Sequence, residues 1–199
     1  MRKDGLYDDL VAAAVRLAST RMSLAVPSLR AVARACDVSA TAVYRHFAAQ
    51  SDLNQAVMLS IDASFVTAMA AADDAGRPPA ERLRLLAYGY LRWGLDNPGL
   101  YQLRFESADQ LGADYVRSDA ADTLLAGIGE LLRASGDTSG LTAADLWTCL
   151  HGVISLRLHK PAHPWPEEPA AQLERLLTAW GFTGPAAAEP RRWSGTPRT

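Results

Sequence analysis

Residues 24–53 read LAVPSLRAVARACDVSATAVYRHFAAQSDL, and this stretch decides the fold. Pro27 and Ser28 open a helix. A serine hydroxyl caps the first amides, and Leu29, Val32, Ala33 and Cys36 then fall on one face. Asp37, Val38 and Ser39 form a short break. A second short helix follows from Ala40 to Phe47, and Ser51 and Asp52 begin a long one. Ala33 is small enough for the two short helices to cross closely, as in a helix-turn-helix; a larger side chain would push them apart. Val32, Val38, Val43 and Phe47 supply the core beneath them. The outward face of the second helix carries Ser39, Thr41, Tyr44, Arg45 and His46, all hydrogen-bond donors with no acid among them. Such a face suits a DNA major groove.

Outside this stretch the apolar spacing is helical nearly everywhere. Leu6, Leu10, Ala14, Leu17 and Ala18 make residues 4–21 an amphipathic helix. Leu53, Val57, Ile61, Phe65 and Met69 run down one side of a long helix over 50–73, which Gly76, Pro78 and Pro79 end. Residues 80–96, about 100–107, 112–135, 142–158 and 170–180 are predicted helices. Asn97-Pro98-Gly99, the loop 135–140 and the prolines 161, 164, 166 and 169 separate them. No run alternates with period two. The expectation is an all-α chain of about nine helices. Residues 1–50 form an N-terminal three-helix domain (motif 28–47), 51–79 a connecting helix and break, 80–182 a second helical domain, and 183–199 a flexible tail.

Composition narrows the function. The 199 residues are 49% apolar and 21% charged, which excludes a largely disordered chain. Cys36 and Cys149 are too few and too far apart for a disulfide scaffold or a thiolate zinc site, and read as buried reduced thiols. No run of ~18 apolar residues and no signal-peptide pattern is read, so the expected location is the cytoplasm, with no membrane partner. The net charge of −2 counts against a basic nucleic-acid binder only as an average. Residues 1–50 hold seven basic and four acidic side chains, and the remainder holds the excess of acid.

The segments Leu29-Arg30-Ala31-Val32-Ala33 and Val43-Tyr44-Arg45-His46-Phe47, continued at Asp52-Leu53, resemble the DNA-binding domain of the tetracycline-repressor (TetR) family of bacterial regulators. The resemblance covers about residues 6–66 at motif level. It implies that Ser28 meets a phosphate, that Tyr44 and His46 grip the backbone, and that Ser39, Ala40, Thr41 and Arg45 face bases or adjacent phosphates. Arg30 and Gln50 complete the candidate set. The competing readings are a partly buried aromatic for Tyr44, a capping or packing role for His46 and a solvated face for Arg30. Two positions depart from the family pattern. Asp37 stands where glycine is usual, at a cost of about 1 kcal/mol. Gln50 replaces a phosphate-binding lysine, which should make the salt dependence shallower by about one unit of slope. Ala40 and Ala42 leave the recognition helix little polar reach, so DNA shape would supply part of the specificity.

The same resemblance implies a C-terminal domain that binds an unidentified small-molecule effector and pairs with its copy in a homodimer. Trp147, His151 and Gly152 match the Trp-x-x-x-His-Gly signature of a subset of these regulators. Leu146, Leu150, Val153 and Arg157, with Leu173, Leu176, Leu177 and Trp180, are the expected dimer interface. Tyr88, Trp93, Tyr101, Phe105, Tyr115, Trp147 and His151 are the candidate ligand contacts, against the alternative that such aromatics simply fill the core. No catalytic constellation, metal set or cofactor motif is read, so the chain is expected not to be an enzyme. The implied function is a ligand-responsive repressor reading a pseudo-palindromic double-stranded operator. The alternative is a helical sensing or interaction protein that has lost operator binding.

Overall fold

The computed structural model describes residues 3–19, 22–107, 118–136 and 140–182. Those residues are helical, with no strand among them. The helices are α1 (Lys3–Ser19), α2 (Leu29–Ala35), α3 (Ala40–Tyr44), α4 (Gln50–Ala72), α5 (Pro79–Asp96), α6 (Pro98–Glu106), α7 (Ala120–Ala134), α8 (Ala143–His159) and α9 (Pro169–Ala179). The chain divides into two compact units, Met1–Val66 with Asn97–Ser118, and Thr67–Asp96 with Asp119–Thr199. The first division falls inside α4, and α6 belongs with the N-terminal helices.

In the first unit Leu10, Ala14, Val32, Val43, Phe47, Leu53, Val57, Ile61 and Phe65 form the core. Ser28 caps α2 by accepting the Ala31 N–H, and Ser39 caps α3 by accepting the Ala42 N–H. The turn between them is a Schellman ending. The Val38 N–H reaches the Ala33 carbonyl and the Asp37 N–H reaches that of Arg34. Asp37 occupies the left-handed position at φ 54°. Replacing Asp37 with Gly removes the Cβ strain, offset in part by the extra freedom of an unfolded glycine. The variant should be more stable by about 0.5 kcal/mol, seen as a higher urea midpoint at unchanged slope.

Three expectations are corrected here. Val38 is only half-buried, whereas Val32, Val43 and Phe47 are fully buried. The helix expected to reach Phe47 ends at Tyr44, because the His46 and Phe47 amides both converge on the Val43 carbonyl and tighten the last turn. The helix expected from residue 112 begins at Ala120. Residues 118 and 119 are not helical, and the Ser118 hydroxyl donates to the Asp62 carboxylate; residues 112–117 lie outside the described residues.

Helix α4 has the length and apolar composition of a spanning segment, though Asp52 and Asp62 interrupt its apolar run. Its apolar side chains have another use. Leu53, Val57, Met58, Ile61, Phe65 and Met69 are buried in the protein core, and Asp62 in its middle pairs with Arg104 of α6.

In the second unit α5 packs against α7, α8 and α9. Helix α8 starts with a capping box, Thr142 accepting from the Asp145 amide while Asp145 accepts from the Thr142 amide. The Thr142 hydroxyl also donates to the Asp145 carboxylate at 2.6 Å, and that bond, followed by the one from the Thr142 amide, holds the carboxyl below its usual range. Helix α9 ends in a second Schellman turn at Gly181, φ 83°, with the Phe182 amide on the Leu177 carbonyl. The tail 183–199 lies outside the described residues. Cys36 and Cys149 are free and half-buried rather than buried, and desolvation raises the pKa of both thiols.

Candidate nucleic-acid interface and ligand-domain contacts

Helices α2 and α3 with their caps present Ser28, Arg30, Ser39, Ala40, Thr41, Tyr44 and Arg45 as exposed residues. Tyr44 is 51% exposed, an unusual setting for a tyrosine without an external partner. Among the described residues Arg30, Arg34 and Arg45 make no ion pair, so their guanidinium groups stay available to an anion. Ser28 and Ser39 use an oxygen lone pair in capping, which leaves each hydroxyl hydrogen free to donate. His46 is half-buried beside Tyr7 of α1, ring centroids 6.4 Å apart, and Tyr7 also stacks on Phe47 at 5.0 Å. Tyr7 was not singled out in the sequence. Its position three residues after Asp4 in an amphipathic helix carries no sign of what it meets.

Gln50 is turned inward. Its Oε1 accepts the Leu29 N–H at 3.1 Å, and its Nε2 donates to the Pro27 carbonyl at 3.1 Å and to Asn54 Oδ1 at 3.0 Å.

The aromatic residues expected at a ligand are distributed over both units. In the first unit Tyr101 is fully buried and lies 4.8 Å from Phe105, ring to ring. In the second unit Trp93 is buried and Tyr88 half-buried. Trp147 is 38% exposed, lies 6.1 Å from the His151 ring, and donates its indole N–H to the Tyr90 hydroxyl. Tyr115 lies outside the described residues.

The Tyr88 hydroxyl donates to Glu174 at 2.7 Å, and Arg84, 3% exposed, grips the same carboxylate with two bonds while also donating to the Phe182 carbonyl. This cluster ties α9 to α5. The sequence held one signal for it: Arg84 sits on the apolar face of α5, next to Leu83 and Ala87, where a charge needs a partner. Burial, then the bond to Glu174, pushes the Tyr88 phenol up to about 12. Glu174 is held below its ordinary range, first by Arg84. The signs are opposite. The Tyr88 contribution to stability is complete below pH 10 and is lost as pH rises through about 12. The Glu174 contribution is complete above its unfolded value and is lost as pH falls through the lowered one. Absorbance titration at 295 nm should therefore show a late phenol that Glu174→Gln moves back toward its ordinary value.

Of the residues expected at a dimer interface, Leu146, Leu150, Val153, Leu173 and Leu177 are buried within the chain itself. Leu176 and Trp180 are partly exposed. Along α8, Ala144, Asp145, Trp147, Thr148, Leu156 and His159 are exposed, and Gly152 faces open space. Arg157 is also interior. It donates to the Glu167 carbonyl at 3.0 Å and to Gln172 Oε1 at 2.7 Å, and lies 4.3 Å from the Trp165 ring centroid. Burial lowers its pKa. With Pro161, His163, Trp165, Glu167, Glu168 and Pro169 it lines a pocket of about 340 Å³, none of whose walls is a candidate aromatic named from the sequence. Among the described residues no three His, Cys, Asp or Glu side chains are grouped to hold a metal.

Residues 83–180 match the family model described as "Tetracyclin repressor-like, C-terminal domain". No curated protein matches the chain in sequence. The fold is similar to that of a TetR-family member from Streptomyces coelicolor, with 25% identity over 87% of this chain and 96% of that one and a TM-score of 0.62. It is similar to a TetR-family transcriptional regulator from Haemophilus influenzae at 19% identity, 89% and 97% coverage and a TM-score of 0.62. It is also similar to the multidrug binding protein EbrR, solved with imidazole, at 25% identity, 90% and 91% coverage and a TM-score of 0.58. A helix-turn-helix with an open, cationic outer face joined to this C-terminal domain shows that the chain belongs to the tetracycline-repressor (TetR) family, whose members are DNA-binding transcriptional regulators rather than enzymes.

Proposed function

We propose that this protein is a cytoplasmic, ligand-responsive repressor that binds a pseudo-palindromic operator as a homodimer. The observation that carries the reading is the outer surface of α2 and α3, where Tyr44 stands half out of the protein and three arginines make no ion pair among the described residues. Ser28, Arg30, Ser39, Ala40, Thr41, Tyr44, Arg45 and His46 are its proposed DNA contacts. In a dimer the two recognition helices would enter successive major grooves about 34–36 Å apart. The exposed Trp147 and Leu156 of α8, with the partly exposed Leu176 of α9 and Trp180 at its end, support pairing with a second copy, and the open space at Gly152 admits a close helix there. The buried leucines of the same helices act from within, holding that face in shape. Relief by a small molecule is supported by the likeness to EbrR, which binds drugs.

The test is selection of duplexes from a random-sequence pool by the full-length protein, followed by gel-shift titration across salt concentrations. Sequence-selective, salt-sensitive binding is expected; its absence overturns the reading. Light scattering should give twice the chain mass. Replacing Tyr44 with Ala should weaken binding roughly tenfold, by a similar factor on the selected and on random duplexes, because a backbone contact carries no sequence information. A loss confined to the selected duplex would instead make Tyr44 a base reader.

A further inference from the structure

The side chain of Gln50 joins two elements that the chain separates by more than twenty residues. Gln50 is the first residue of α4. Its amide oxygen takes the N–H of Leu29, the first residue of α2, and its amide nitrogen donates to the carbonyl of Pro27. One amide thus grips the backbone on both sides of Ser28, the residue that caps α2. Asn54, one turn further along α4, accepts the second hydrogen and holds the rotamer. The groups are half-buried, so the bonds face limited competition from water.

The residue type matters. An amide is the side-chain group that both accepts and donates in this fork. A lysine or arginine could reach Pro27 but has no lone pair for the Leu29 amide, and a glutamate could take the Leu29 amide but has no hydrogen for Pro27. Asparagine is one methylene shorter. A phosphate needs a donor, and both Nε2 hydrogens of Gln50 are already committed inside the protein.

We propose that Gln50 is a positioning residue for DNA binding, which fixes the start of α2 on α4 and so sets the orientation in which α2 and α3 meet the duplex, without itself touching DNA. This rests on the operator-binding reading above. It replaces the expectation that Gln50 is a neutral stand-in for a phosphate-binding lysine. A positioning residue affects fit, so its loss is felt where fit is demanded. Specific complexes require the recognition helix at one angle in the groove, whereas non-specific complexes tolerate many.

The experiment uses the full-length protein, the duplex it selects from a random pool, and a random duplex of equal length. The variant is Gln50→Met, similar in length with neither donor nor acceptor. The selected duplex should be bound roughly tenfold more weakly, as expected for two lost inter-element hydrogen bonds. Affinity for the random duplex and the salt slope should be unchanged. Amide exchange at Leu29 in the free protein should accelerate. Equal weakening on both duplexes would make Gln50 a backbone contact and overturn the proposal. Unchanged affinity on both, below the melting range, would reduce Gln50 to fold stability and overturn it as well. Should Gln50→Met not fold, Asn54→Ala frees the Gln50 rotamer alone, and its smaller loss must again fall on the selected duplex only. A wild-type protein that selects no duplex overturns the operator reading and this proposal together, whereas selective wild-type binding with an indifferent variant overturns this proposal alone.

Discussion

Replacing Asp62 with Ala is expected to destabilise the protein by about 3–5 kcal/mol, the range for breaking a buried ion pair from one side. Asp62 lies in the middle of α4 and is 5% exposed. Its carboxylate accepts from the Arg104 guanidinium and from the Ser118 hydroxyl. The guanidinium carbon lies 4.6 Å from the Phe65 ring centroid and 4.9 Å from that of Phe105, so the cation is held among aromatic faces. Removing the carboxylate takes away the counter-charge that α4 supplies to that buried cation in a poorly solvated site. Asp62→Asn keeps the shape and an acceptor and should cost less than the alanine variant. Urea unfolding, read as a fall in midpoint, checks both; a loss under 1 kcal/mol for Asp62→Ala would show that water reaches the pair.

Gly89→Ala is the second large effect, and its sign is the informative part. On helix propensity alone the change should stabilise α5 by about 1 kcal/mol. A Cβ built on Gly89, however, stands 2.5 Å from the Ala72 Cβ and 3.5 Å from the Met69 methyl. Neither β-carbon can rotate away, so the end of α4 and the middle of α5 must separate. Overpacking of this kind costs roughly 1–3 kcal/mol, and a net loss is expected. Ala72→Gly in the same chain should recover most of it, since it removes the clashing atom. A calorimetric double-mutant cycle measures the coupling directly, and additive losses would show that the helices relax elsewhere.

Two ion-pair clusters, one in each unit, were illegible in the sequence for a common reason. Asp62 and Arg104, like Arg84 and Glu174, are far apart in the chain, and spacing along a helix says nothing about what lies across from it. A charged residue on an apolar face, as Arg84 is, signals that a partner exists without naming it. Arg157 follows Leu146, Leu150 and Val153 at helical intervals, a spacing that predicts one shared face. All four are buried within the chain, where α8 packs against α5, α7 and α9. Apolar periodicity reports that a face is covered; it does not report whether the same chain or a second copy covers it.

What the amino-acid sequence determined by itself is whatever depends on neighbours within a few residues. The helices, the serine caps of α2 and α8's threonine cap, the proline and glycine breaks and the helix-turn-helix with its exposed Tyr44 all arise from contacts at i+3 and i+4, and these can be read directly from the residues. Tertiary structure decided which side chains remain outside and which are consumed within. The Gln50 amide is spent on the backbone of Pro27 and Leu29, and Leu146, Leu150, Leu173 and Leu177 are buried while Trp147 and Leu156 stay exposed. Those outcomes follow from hydrogen-bond satisfaction and burial between distant segments, which exist only once the helices have packed.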